Sequence, residues 1–124
     1  MGAVSVLADE LKISNAKKIL LITDKVVEKI DLVSKIIHNL RNEGFSITIY
    51  DEVEPEPSLE HAEKVADFAR KTEPEVVIGI GGGSVLDLAK IASIAVTNPG
   101  RIRDYIGVNK VKEDGKPLIL IPTT

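Results

Sequence analysis

Residues 76–90 read Val-Val-Ile-Gly-Ile-Gly-Gly-Gly-Ser-Val-Leu-Asp-Leu-Ala-Lys. A short apolar run enters three consecutive glycines, then a serine, then a helical stretch. The run Val76 to Ile80 is too brief for a helix and suits a strand covered on both faces. The turn from that strand into a helix over about Ser84 to Val96 therefore lies at Gly81-Gly82-Gly83.

The same alternation extends in both directions. Upstream, Lys18-Ile19-Leu20-Leu21-Ile22-Thr23 predicts a first strand. Val26, Ile30, Val33, Ile37 and Leu40 then recur at helical spacing, and Gly44 ends that helix. Phe45 to Tyr50 is β-branched and aromatic, which predicts a second strand. Glu54-Pro55-Glu56-Pro57 predicts an extended loop, with Ser58 capping a helix whose apolar stripe is Leu59, Ala62, Ala66 and Ala69. Downstream, Asn98-Pro99-Gly100 predicts a turn, with a further short turn near Asp104 to Ile106. Leu118 to Ile121 predicts a last strand, ended by Pro122. A less regular helix is expected over Val6 to Ile13. Strands alternating with helices require crossover connections and a parallel sheet. The expected fold is α/β, a Rossmann-like doubly wound parallel sheet of strand order 2-1-3-4 in three α/β/α layers. Residues 1–124 form one such domain.

Composition narrows the function classes. Of 124 residues, 44% are hydrophobic and 28% charged, an ordinary globular mix. The net charge is −3, so no global basic field recruits nucleic acid. With two Phe, two Tyr and no Trp, few rings remain for base stacking. Cysteine is absent, which removes disulfides, thiolate metal sites and cysteine nucleophiles. No apolar stretch approaches the roughly 20 residues of a membrane span, and no secretory pattern opens the chain. The expectation is a cytoplasmic protein with neither nucleic-acid nor membrane partners.

Ligands of open α/β sheets bind at the carboxyl ends of the strands. In this reading those ends carry Asp24, the Glu52 to Pro57 segment, Gly81-Gly82-Gly83-Ser84 and Thr123-Thr124. The first N–H groups of a helix lack intrahelical partners and carry the positive end of its dipole. Glycines let an anion approach them, and the Ser84 hydroxyl adds a donor. A tight turn with positive φ would explain one or two glycines; three and a serine favour a ligand. No lysine follows the glycines, which argues against a Walker-type loop, and the spacing does not fit the usual GxGxxG fingerprint. An acid nonetheless ends a strand, at Asp24. With order 2-1-3-4, Asp24 and the glycine loop flank one crevice. A carboxylate there can hold both hydroxyls of an adenosine ribose and repel a 2′-phosphate.

Taken together, these motifs are familiar. Gly81-Gly82-Gly83-Ser84-Val85-Leu86-Asp87-Leu88-Ala89-Lys90 resembles the GGGSxxDxAK motif of iron-containing (group III) alcohol dehydrogenases. Ile121-Pro122-Thr123-Thr124 resembles the start of that family's IPTTxGTGSE segment, and Leu21-Ile22-Thr23-Asp24 the close of its first nucleotide-domain strand. Arg103-Asp104-Tyr105-Ile106-Gly107 resembles the segment between the two motifs. The resemblance implies an N-terminal domain that binds NAD or NADP and a C-terminal helical domain that holds iron or zinc, with an alcohol or aldehyde between them. It implies that Gly82, Gly83 and Ser84 meet the pyrophosphate, with Gly81 also counted among the cofactor-binding residues, and that Thr123 and Thr124 line the nucleotide cleft. It places Asp24 at the adenosine ribose, favouring NAD over NADP. Asp87 and Lys90 become candidates near the nicotinamide; the ordinary alternative is a solvated helix lysine for Lys90 and first-turn dipole compensation for Asp87.

The chain stops inside the threonine motif, so a fragment lacking the metal-binding domain is expected, catalytically incomplete by itself and with no metal ligands of its own. His38 and His61 are read as surface histidines. The exposed face that would meet a second domain is expected to favour self-association. Related readings are a glycerol dehydrogenase, a glycerol-1-phosphate dehydrogenase, a dehydroquinate synthase-like domain, or a nucleotide-binding fragment without chemistry.

Overall fold

The computed structural model describes residues 17–54, 58–102 and 115–123. The expected helix at Val6 to Ile13, the turn near Asp104 to Ile106, Pro55 to Pro57 and Thr124 lie outside them. The described chain runs β1 (Lys18–Ile22), α1 (Lys25–Glu28), α2 (Asp31–Asn42), β2 (Ser46–Tyr50), α3 (Leu59–Thr72), β3 (Val76–Gly81), α4 (Gly83–Thr97) and β4 (Leu118–Pro122). All strand pairs are parallel, as the alternating pattern predicts, and the order is the expected β2-β1-β3-β4.

The two central strands explain the continuous apolar runs. Every residue of β3 is buried, and so is every residue of β1 after Lys18, whereas β2 and β4 at the edges are half-buried. Alternate side chains divide between two cores. Ile19, Leu21, Val76, Ile78 and Ile80 meet Val33, Ile36, Ile37 and Leu40 of α2 on one face. Leu20, Ile22 and Val77 meet α3 and α4 on the other, through Ala62, Val65, Ala66, Ala69, Leu88, Ala89 and Ala92. Period-two strands thus give three layers. The alanines allow α3 and α4 to lie close over the sheet. Gly79 serves the same end, since a Cβ there would stand 2.7 Å from Ala89 Cβ.

Helix ends follow their local chemistry. Gly44 has φ +96°, Phe45 N–H donates to Leu40 O, and Gly44 N–H to Arg41 O, a Schellman motif in which Phe45 returns to the core. Ser58 caps α3 by accepting from His61 N–H at 3.1 Å.

Two expectations need correction. The helix expected from Val26 to Leu40 is broken: α1 ends after one turn, Ile30 is extended, and α2 begins at Asp31. Val26 and Ile30 are 78% and 45% exposed, and Val27 is buried instead. Ser34 turns its hydroxyl onto Glu28 O at the break, a local bond that competes with continuous helix. The second correction is His61, which is 5% exposed and joins the buried stripe of α3, while Leu59 at 39% is turned outward. His38 is exposed as expected.

Candidate dinucleotide crevice

Strand register brings the candidate residues to one edge. Ile22 of β1 lies opposite both Tyr50 of β2 and Gly79 of β3, so Asp24, two residues on, comes level with Glu52 and Gly81. Asp24 and Glu52 form an isolated antiparallel bridge. Thr23 is fully buried, and its hydroxyl donates to Ile80 O at 2.8 Å, fastening β1 to β3 where the chain direction across the sheet reverses. A crevice opens above this switch point. It has a volume of about 670 Å³ and is lined by Asp24, Lys25, Val26, Val27, residues 51–54, Gly82, Gly83, Ser84 and Val85.

The glycine wall is built from the strand-to-helix turn. Gly81 has φ +157°, and a Cβ on it would stand 2.8 Å from Val85 Cγ2, so the fold itself requires glycine there. Gly83 is different: a Cβ would meet nothing within 4 Å. Packing therefore does not demand glycine at 83; open space stands over the helix end instead. Gly82 is the N-cap of α4 and offers no side-chain acceptor, and no acid occupies the first turn. The positive end of a 15-residue helix consequently faces the crevice with no acidic residue in its own first turn.

The opposite wall is acidic. Asp24 caps α1, its Oδ1 accepting from Val27 N–H at 2.7 Å, and its carboxylate stays on the crevice wall. Asp51, Glu52 and Glu54 complete that wall, with Lys25 Nζ 3.7 Å from Asp51 Oδ1. Asp51 also shares a hydrogen bond with Glu28. That bond pushes the Glu28 carboxyl up and holds Asp51 down. Burial, then the charges of Glu52, Glu54 and Asp51, push the Tyr50 hydroxyl up, and it stays neutral at the base of this wall.

The remaining candidates sit apart. Gly81 and Thr123 are joined, Thr123 N–H donating to Gly81 O at 3.1 Å, but neither lines the crevice. Asp87 and Lys90 lie on the exposed face of α4, Nζ to Oδ1 3.9 Å, and do not line it either. Lys25, Val26 and Asp51 line the crevice without having been singled out by sequence. Their only signal was adjacency to strand ends. Among the described residues, no three acidic or histidine side chains converge to hold a metal ion, and no helix is long and apolar enough to cross a membrane.

The family model "Iron-containing alcohol dehydrogenase" matches residues 1–124. Long-chain-alcohol dehydrogenase 1 of Geobacillus thermodenitrificans is 46% identical, the match covering 99% of this chain and 32% of that protein. NAD-dependent methanol dehydrogenase of Bacillus methanolicus is 33% identical over 99% of this chain and 32% of its own length. Among solved structures, sulfoacetaldehyde reductase from Bifidobacterium kashiwanohense in complex with NAD+ superposes with a TM-score of 0.85 at 25% identity, covering 99% of this chain and 32% of that one. The chain thus spans about a third of the length of the relatives it matches.

Proposed function

The chain belongs to the iron-containing alcohol dehydrogenase family, and from that premise we propose that residues 1–124 form its dinucleotide-binding domain and that the crevice takes NAD in preference to NADP. One observation carries this reading: a helix terminus left open by Gly82 and Gly83 faces a wall of carboxylates across one cavity. A dinucleotide matches both halves. Its pyrophosphate suits the N-terminal turn of α4 at Gly82, Gly83 and Ser84, where the helix dipole is positive. The adenosine ribose, a diol, suits Asp24, whose carboxylate accepts two hydroxyls. A 2′-phosphate there would bring its charge against Asp24, Asp51, Glu52 and Glu54. A relative named for NAD dependence and a neighbour bound to NAD+ support the same choice.

When bound, the nicotinamide supplies hydride transfer to or from the carbon of a small alcohol or aldehyde. This chain's residues bind and orient the cofactor for that step. Gly81 and Thr123 brace the glycine turn from the β4 side. Asp87 and Lys90 stand one and two turns along α4 toward the other end of the cofactor. The family name implies iron; among the described residues no three acidic or histidine side chains converge to hold it.

The test is thermal stability of the 124-residue chain with and without NAD. Ligand at a hundredfold over its Kd adds about 2.7 kcal/mol, a rise on the order of 10 °C in Tm for a domain this size. An alcohol and NAD together should give no NADH. A chain that melts cooperatively but is unmoved by NAD would end this reading.

A further inference from the structure

The acidic wall is anchored at both ends. Its near end is the Asp24–Glu52 bridge. Its far end is held by a residue that does not line the crevice. His61, in the first turn of α3, is 5% exposed, and its Nδ1 lies 3.4 Å from Glu54 Oε1. A carboxylate presents only acceptors, so a proton on Nδ1 is what makes this approach favourable. The ring sits beside Tyr50, centroids 6.1 Å apart, and Tyr50 lies 5.2 Å from Phe68, so the imidazole has a packed seat under the loop. Its Nε2 is buried and has no hydrogen-bond partner among the described residues. An apolar side chain would fill that seat without the desolvation cost. What the imidazole adds is its contact with Glu54.

Glu54 is a flexible side chain, 54% exposed. Free, it would swing into solvent, where its charge is screened. Held by His61, it stays on the crevice wall with Asp24 and Glu52. We propose that His61 is a positioning residue that fixes Glu54 on the acidic wall and so sets how strongly the crevice rejects a 2′-phosphate. This rests on the dinucleotide reading of the crevice.

The test is a double-mutant cycle on the 124-residue chain, with Kd for NAD and for NADP measured calorimetrically. His61→Phe and Glu54→Gln should each lower the ratio of NADP to NAD Kd by about three- to tenfold, with NAD affinity nearly unchanged. In the Glu54→Gln background His61→Phe should change the ratio no further. His61→Asn, whose amide N–H stands where Nδ1 stood, should restore the ratio. A His61→Phe effect that is equal for both cofactors, or equal in both backgrounds, would show a merely structural role and overturn the proposal. Amide exchange at residues 51–54 judges the anchoring separately. It should quicken in His61→Phe and not in His61→Asn. An unchanged rate would refute the anchor even if the chain bound no nucleotide. Failure of the unsubstituted chain to bind either dinucleotide would instead overturn the crevice reading and the discrimination role with it.

Discussion

Gly81 and Gly83 are two residues apart in one turn, yet the structure gives them different reasons to be glycine. At Gly81 the backbone has φ +157° and Val85 fills the space a Cβ would need. Gly81→Ala should therefore destabilise the fold by about 1–3 kcal/mol, read as a lower midpoint in urea. At Gly83 a methyl would meet nothing, and alanine suits a helix better than glycine by up to about 1 kcal/mol. Gly83→Ala should leave the fold as stable or more so while weakening NAD binding by about tenfold, some 1.4 kcal/mol. Equal NAD affinity in Gly83→Ala would mean that this glycine has no ligand to admit. A turn explains one or two of these glycines but not three. Which of the three served the turn was not legible, because that depends on where Val85 packs.

Elements were legible in kind more than in phase. The strands follow from short apolar runs and their parallel pairing from the crossover connections, whereas alternation by itself does not fix their order. The break between α1 and α2 was not legible. Val26 and Val27 are adjacent valines, and periodicity alone does not decide which faces inward. The packing chose Val27, and Asp24 capped the short first turn. The burial of His61 was not legible for a related reason: its sequence neighbours are polar, whereas its seat beside Tyr50 is supplied by β2. Two ties between elements carry predictions of their own. Arg70 of α3 donates to the carbonyls of Ala95, Asn98 and Gly100, closing the C-terminal end of α4. Arg70→Ala should cost about 2 kcal/mol, measured by chemical denaturation, and Arg70→Lys should recover little of it because one ammonium does not span three carbonyls. Glu75 joins the starts of β3 and β1, its Oε1 accepting from Lys17 and Lys18 N–H at 3.0 Å each. Those bonds hold its carboxyl below the ordinary range. A depressed acid stabilises the fold above its ordinary pKa and loses that effect as the pH falls through the depressed value. Glu75→Ala should thus lower Tm at pH 7, with the gap narrowing toward pH 3. A gap that widened in acid would contradict the assignment.

For the molecule as a whole, the sheet does one thing that matters for function: it sets a positive helix end opposite a cluster of carboxylates across one crevice. The measurement that tests this most directly is a calorimetric titration of the 124-residue chain with NAD and then NADP, repeated on Asp24→Gly. Glycine is tolerated at an N-cap at a cost of only a few tenths of a kcal/mol, so the variant keeps α1 and loses the carboxylate. NAD should bind more tightly than NADP, and Asp24→Gly should narrow the difference by weakening NAD and admitting NADP. Tighter NADP binding in the unsubstituted chain, or a difference untouched by Asp24→Gly, would contradict the assignment of the acidic wall to the ribose.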